Sequence, residues 1–197
     1  MQKNKTTRKS LKKKSIDNIE DYNSDGASVY CSTYRKYNSY MLEGAWVTLS
    51  MFNSYDEFMD FCRQLHADED DPELMFPDYR DFPRELYSES CIDEETFNKI
   101  VAYDNMSNEM QEAFEAYIEA TGNNSISDFE ESFEGKYNTE YDFAVHYLNE
   151  LYDLEKMMGN LAPYFDYESF ADDLFLGDFV FWRGYVFNAK RLICTSF

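Results

Sequence analysis

Carboxylates dominate the chemistry available to this chain. Thirty-five acidic residues lie between Glu43 and Asp178, against six basic ones in the same stretch (Arg63, Arg80, Arg84, Lys99, Lys136 and Lys156). In several places they recur at helical spacing. Asp56, Glu57 and Asp60 fall together, as do Glu112, Glu115 and Glu119, and Glu140, Asp142, Glu150 and Asp153. Asp68, Glu69, Asp70 and Asp71, then Glu130 with Glu131, and Asp172 with Asp173, add further charge. Residues three or four apart on one helix face stand about 5–6 Å from one another. Duplex DNA carries one charge per about 1.7 Å of axis over its two strands. A row of such acids therefore spaces negative charge much as neighbouring phosphates do. A groove lined with Lys and Arg would take up this surface by steering and electrostatic complementarity. The acids would act through their summed field, without any one of them being indispensable. Composition alone implies an acidic binding protein and leaves its partner open.

Other chemistries find little support. Paired carboxylates are everywhere, so no pair stands out as a catalytic acid and base. His66 and His146 are the two histidines, and both read as surface or edge residues. Cys31, Cys62, Cys91 and Cys194 form no CxxC pair and no zinc spacing, which suits a reduced cytoplasm. The oxygen-rich segment 68–73 lacks the turn glycine of a calcium loop. Seven glycines supply no phosphate-binding or dinucleotide motif. The expectation is a non-enzymatic protein with no cofactor and no metal.

The elements that must carry these charges can be read from periodicity and caps. Residues 1–14 hold seven basic groups and no acid, within a polar stretch, 1–28, that reads as a disordered basic leader. No apolar run follows it, which excludes a secretory signal. No stretch approaches the roughly 20 apolar residues of a membrane span. Despite a net charge of −21, Leu, Ile, Val and Phe make up 22% of the chain, joined by 17 Tyr. A fraction below roughly 20% would suggest disorder, so a core forms, and it is largely aromatic.

Residues 29–33 and 45–49 suit strands, with a loop at 36–39 between them. Ser54 and Glu57 make a capping box for a helix that buries Phe58, Phe61, Cys62 and Leu65. Residues 74–76 suit a short strand, and Pro72, Pro77 and Pro83 oppose a long helix there. Asp93 caps a helix burying Phe97, Ile100 and Val101. Ser107 caps another, with Met110, Phe114, Tyr117 and Ile118 inward, ended by Gly122. Ser127 and Glu130 suggest a further capping box, with Gly135 ending that helix. Thr139 opens a helix to Leu154 with Phe143, Ala144, Tyr147, Leu148 and Leu151 inward. Asp166 caps the last helix, which reaches Gly177. Two short strands then flank Arg183-Gly184 as a two-residue hairpin.

Two blocks carry a family resemblance. One is Val29-Tyr30, Lys36-Tyr37-Asn38 and Gly44-Ala45-Trp46. The other is Leu161-Ala162-Pro163-Tyr164-Phe165-Asp166-Tyr167-Glu168-Ser169-Phe170-Ala171-Asp172-Asp173-Leu174. Over about residues 29–190 the chain resembles ArdA-type antirestriction proteins. The resemblance implies an α+β fold of three small tandem domains forming an elongated, curved, highly acidic body. On this chain they would be 29–91 (α/β), 92–133 (helical) and 134–197 (α/β). It implies a mimic of bent B-form DNA that occupies the DNA-binding groove of Type I restriction–modification enzymes. Such proteins usually ride on mobile genetic elements and act in the cytoplasm. It also implies a homodimer through the C-terminal domain, with Tyr147, Leu151, Leu154, Leu161 and Tyr164 at the interface. The acidic body itself would not bind nucleic acid. Met157-Met158-Gly159-Asn160 departs from the family pattern at the corresponding linker, and the basic leader lies outside that pattern. The alternative reading is an acidic interaction protein for another basic partner, such as a nucleoid protein or a different nuclease.

Overall fold

A computed structural model describes residues 22–41 and 43–190. The basic residues of the leader and Cys194 lie outside the described residues. The fold is mixed α and β, with two three-stranded antiparallel sheets. It divides into two compact units.

The first unit takes in the chain up to Arg80 and residues 89–91. β1 (Ser28–Thr33) is the central strand, between β2 (Ala45–Thr48) and β3 (Leu74–Arg80). β3 is an edge strand, which lets it accommodate Pro77, a residue with no N–H to donate. The β1–β3 register shifts between Tyr30 and Ser32, beside Pro77. Thr33 ends β1 and caps the short helix α1 (Tyr34–Asn38), accepting from the Lys36 N–H. The loop expected at 36–39 is therefore helical at its start. A strand terminus that doubles as a cap gives no periodic signal.

Helix α2 (Tyr55–Leu65) is capped by Ser54, whose hydroxyl accepts from the Glu57 N–H. The Glu57 carboxylate reaches one residue further back than a capping box requires, accepting from the Asn53 backbone and side-chain amides at 3.1 and 2.9 Å. Phe58, Phe61 and Cys62 are buried on one face. Phe58 meets Phe76 of β3 and Phe52, with ring centroids 6.0 and 5.6 Å apart. Tyr22 packs on Phe61 at 4.2 Å, and Ala27 and Ser28 are buried. Order thus starts before Val29, because one aromatic ring anchors an otherwise polar segment.

The second unit comprises residues 81–88 and the chain from Ile92 onward. Asp93 caps α3 (Glu94–Asp104), and Ser107 caps α4 (Asn108–Thr121), which ends at Gly122 with φ +71°. The cap of α5 (Ile126–Ser132) is Ser125 rather than Ser127, since its hydroxyl accepts from the Asp128 N–H. α5 runs directly into β4 (Phe133–Lys136), and Gly135 lies inside that strand at a register shift rather than ending a helix. Thr139 caps α6 (Glu140–Leu151), which stops at an extended Tyr152 instead of reaching Leu154. Asp153 then caps a separate short helix, α7 (Leu154–Met158). Asp166 caps α8 (Tyr167–Phe175).

The chain finishes with β5 (Phe179–Trp182) and β6 (Tyr185–Asn188) around Arg183-Gly184. Both turn residues have positive φ, 51° and 86°, the geometry that matches strand twist in a two-residue hairpin. The strand order is β4-β6-β5.

The domain divide expected near residue 133 falls inside this unit. Tyr117 of α4 meets Phe187 of β6 at 5.4 Å, and Phe129 of α5 meets it at 6.4 Å. On the other side, Phe143, Ala144, Ala171, Leu174, Phe179 and Val186 form a second core cluster. Phe143 stacks edge-on with Phe179 at 4.7 Å. Truncating such a ring to Ala costs about 3–5 kcal/mol.

Candidate partner-binding surface

The acids singled out by spacing separate into three physical groups. The first is fully presented to solvent. Asp56, Glu57 and Asp60 lie exposed on α2, Asp70 and Asp71 on the loop after it, and Glu130 and Glu131 on α5. Glu140, Asp142 and Glu150 are exposed on α6, Asp153 before α7, and Asp172 and Asp173 on α8. Asp60 pairs with Arg63 at 3.3 Å and Glu150 with His146 at 3.5 Å. Such exposed pairs contribute little to stability.

The second group bonds across to other elements of the second unit. Glu112 accepts from the Tyr185 hydroxyl at 3.1 Å, with Lys136 at 3.9 Å. Glu119 accepts from Trp182 Nε1 at 2.9 Å and Arg183 at 3.1 Å. Glu115 is half-buried and accepts from the Tyr103 hydroxyl at 2.7 Å. Burial, reinforced by that carboxylate, pushes the Tyr103 phenol well up. The spacing is helical as expected, and Glu112 and Glu119 stay exposed while bonded across to other elements. Ala113, Phe114, Ala116, Tyr117 and Ile118 bury a wide arc of α4, and the β5–β6 hairpin reaches over its edge. These three acids clasp α4 to its neighbours.

The third group is Glu69 and Asp68. Glu69 is buried and accepts from the Thr33 hydroxyl at 2.7 Å, which removes it from any outer surface. Asp68 accepts from the buried Lys36 ammonium at 2.9 Å, and Glu43 stands 3.7 Å from the same nitrogen. Lys36 holds the Asp68 carboxyl below its ordinary range. Burial works against the Lys36 charge, but Asp68 and Glu43 outweigh it and raise the ammonium. His66, expected at the surface, is also buried. Its Nδ1 lies 3.1 Å from Lys36 Nζ and its Nε2 3.9 Å from Cys31 Sγ. Those partners are 30 and 35 residues away, beyond the reach of local sequence patterns.

Some of the acidity serves the helices themselves. Asp93, Asp153 and Asp166 are caps, and Asp56, Glu57, Glu94, Glu95, Glu109, Glu140, Asp142 and Glu168 lie in first turns. A negative charge there complements the N-terminal end of the helix dipole. Backbone and side-chain donation from Thr96 to Asp93, and from Ser169 to Asp166, lowers both carboxyls.

The other helix ends have no such explanation. α3, α4, α5, α6 and α8 carry no basic residue in the last turn. Asp104, Glu119, Glu130, Glu131, Glu150, Asp172 and Asp173 sit there instead. An acid at a helix C-terminus opposes the dipole by about 0.3–1 kcal/mol at low salt. The second unit holds 24 acidic and six basic side chains among its described residues. At these ends the dipole contribution taken by itself is unfavourable, and at Glu119 the Arg183 pair offsets it.

The apolar residues expected at a dimer interface also separate. Leu151, Leu161 and Tyr164 are exposed, the last at 83%, and Leu154 is half-buried. Leu151 was expected inward; it lies at the last position of α6, past the Phe143, Ala144 and Leu148 face. Tyr147 packs instead within its own core, on Phe143 and Phe179. Met157, Met158 and Tyr152 add to the exposed apolar surface.

Among the described residues, no group of His, Cys, Asp and Glu is arranged to hold a metal ion, and no helix is long and apolar enough to cross a membrane. The family model described as "Antirestriction protein (ArdA)" matches residues 29–187. No curated protein matches the chain.

Proposed function

The chain belongs to the ArdA antirestriction protein family, and from that premise we propose that it blocks a Type I restriction–modification enzyme by occupying its DNA-binding groove. The acids at helix C-termini carry this reading. Each opposes the dipole of its own helix, no basic residue stands in the same last turn, and they add to a field already far from neutral. A cationic groove that normally binds phosphates gives such charges a favourable partner. The contributing acids are Asp56, Glu57, Asp60, Asp70 and Asp71 on the first unit, and Glu130, Glu131, Glu140, Asp142, Glu150, Asp153, Asp172 and Asp173 on the second. Glu112 and Glu119 contribute charge while bracing α4. Asp68 contributes in part, and Glu69 does not contribute.

The mechanism is displacement and needs no bond chemistry and no cofactor. Phosphate contacts supply most non-specific affinity for DNA without reading bases, so a surface that mimics only those contacts competes effectively. The protein acts in the cytoplasm, where the restriction enzyme meets incoming DNA. Leu151, Leu154, Leu161 and Tyr164 supply an apolar patch through which two copies associate.

Graded neutralisation tests the reading. Glu→Gln and Asp→Asn substitutions on α5, α6 and α8 are introduced singly and in combination, and restriction of unmodified DNA is measured. Single changes should weaken inhibition slightly and combined changes progressively. One substitution that abolishes inhibition while the fold stays intact would point to a discrete site and overturn the proposal. If pull-downs capture a nucleoid protein or another nuclease and no restriction enzyme, the alternative partner class is favoured.

A further inference from the structure

The chain enters the first unit at a fixed point beside α2. Tyr22 packs on Phe61 of that helix at 4.2 Å and on Phe52 at 5.6 Å. Asn23 accepts from the Arg80 guanidinium, and the Ser24 N–H donates to the Thr48 hydroxyl at 3.0 Å. The residues before Tyr22 are therefore tethered at the edge of α2.

Those residues and the first unit carry opposite charge. Residues 3–14 hold seven cations (Lys3, Lys5, Arg8, Lys9, Lys12, Lys13 and Lys14) and no acid. The first unit has 12 acidic and four basic side chains among its described residues. Three of those four bases already have local partners. Lys36 is held by Asp68 and Glu43, Arg63 lies against Asp60, and Arg80 bonds Asn23 and covers the Trp46 ring. The unit's own cations thus leave most of its negative charge unmatched.

Helix α2 presents part of that excess. One face buries Phe58, Phe61 and Cys62. The other exposes Asp56, Glu57, Asp60, Arg63 and Gln64, and Asp70 and Asp71 extend the exposed acids along the loop that follows. Lys14 stands eight residues before Tyr22, a stretch that spans at most about 28 Å. The 11 residues of α2 span about 16 Å. Lys12, Lys13 and Lys14 therefore reach the whole outer face. Asp17, Glu20 and Asp21, which lie between, are repelled by it, so the contact falls to residues 3–14.

We propose that residues 3–14 dock as a cationic strap on the outer face of α2 and the loop after it, screening those acids from a partner. The tether holds the two charged segments at an effective concentration of about a millimolar. Several exposed ion pairs, each weak by itself, then suffice for a contact that salt dissolves. A nucleic acid is the less favoured occupant of the strap, because the net charge of −21 repels any polyanion that approaches it. Docking needs no restriction enzyme; only its effect on inhibition rests on the displacement proposed above.

The test is zero-length carbodiimide crosslinking of the full chain, mixed with an isotope-labelled copy so that links within one molecule are recognised, followed by peptide mapping. At low salt, amide links should join lysines of residues 3–14 to Asp56, Asp60, Asp70 and Asp71 within one chain. At 0.5 M salt they should fall severalfold. Asp56→Asn with Asp60→Asn should remove the links to α2, and circular dichroism checks that this surface variant is folded. Replacing the seven cations by Gln should tighten inhibition of restriction about two- to tenfold at low salt, the effect of a few exposed ion pairs. Links without inhibition by either chain would support the strap and overturn the displacement reading instead. Leader lysines that form no links, link only between molecules, or link mainly to acids of the second unit would overturn the strap. So would a labelled DNA duplex retarded at low salt by the full chain and not by the Gln-substituted one.

Discussion

Neutralising Asp172 and Asp173 together should stabilise the protein and weaken it as an inhibitor. Both are exposed in the last turn of α8, where no basic residue offsets them. Asp→Asn leaves size and helix propensity nearly unchanged, so charge is the variable. Each acid opposes the helix dipole by about 0.3–1 kcal/mol at low ionic strength. For a chain of this size, 1 kcal/mol shifts Tm by roughly 2–4 °C, so the double variant should melt at least a degree higher. The gain should shrink at 0.5 M salt, where screening acts within a few ångströms. Against a cationic groove, each lost charge removes about 0.2–1 kcal/mol of exposed pairing. Together this is a loss of roughly two- to thirtyfold in affinity. Thermal unfolding and inhibition of restriction are measured on the same preparations at the same salt. A double variant that melts lower would refute the helix-end reasoning. One that melts higher with unchanged inhibition would remove α8 from the working surface.

Other expectations test the wiring beneath the surface. Glu69→Ala leaves the buried Thr33 hydroxyl without its carboxylate partner, so urea unfolding should show a loss of about 1–3 kcal/mol. At matched folded fraction, inhibition by that variant should be unchanged. Gly44→Ala should destabilise the first unit, since an added Cβ would fall 2.4 Å from the Cys31 carbonyl oxygen. Backbone must shift to relieve this, and a denaturation midpoint equal to wild type would contradict it. Because Lys36 lowers the folded Asp68 carboxyl, its stabilisation is complete above the ordinary carboxylate range and is lost as pH falls through the lowered value. Tm should therefore decline more steeply below about pH 4 in wild type than in Asp68→Asn. Parallel profiles would show that the pair does not hold in solution.

Local chemistry was legible in the sequence wherever a side chain bonds backbone a few residues away. Ser54, Asp93, Ser107, Thr139 and Asp166 cap the helices expected of them, and Arg183-Gly184 turns the hairpin. Interactions between distant segments were not legible. β4 exists because it pairs with β6, some fifty residues on, and a strand reading Phe-Glu-Gly-Lys has no periodicity of its own. Glu112 and Glu119 look like free surface acids until Tyr185, Trp182 and Arg183 arrive from 63 to 73 residues away. The burial of His66 and Glu69 depends on Lys36 and Thr33, set in place by an α1 that the pattern does not announce. The solvent exposure of acids such as Asp56, Asp60, Glu140 and Asp172 followed from their helical spacing. What sequence could not separate was charge turned outward from charge spent on holding helices together.

The most direct test is competition for the groove itself. A restriction–modification complex is loaded with fluorescently labelled cognate DNA, and the protein is titrated in at several salt concentrations while anisotropy is followed. DNA should be displaced competitively, with apparent affinity falling as salt rises. A ternary complex in which labelled DNA stays bound at saturating protein, or displacement indifferent to salt, would contradict it.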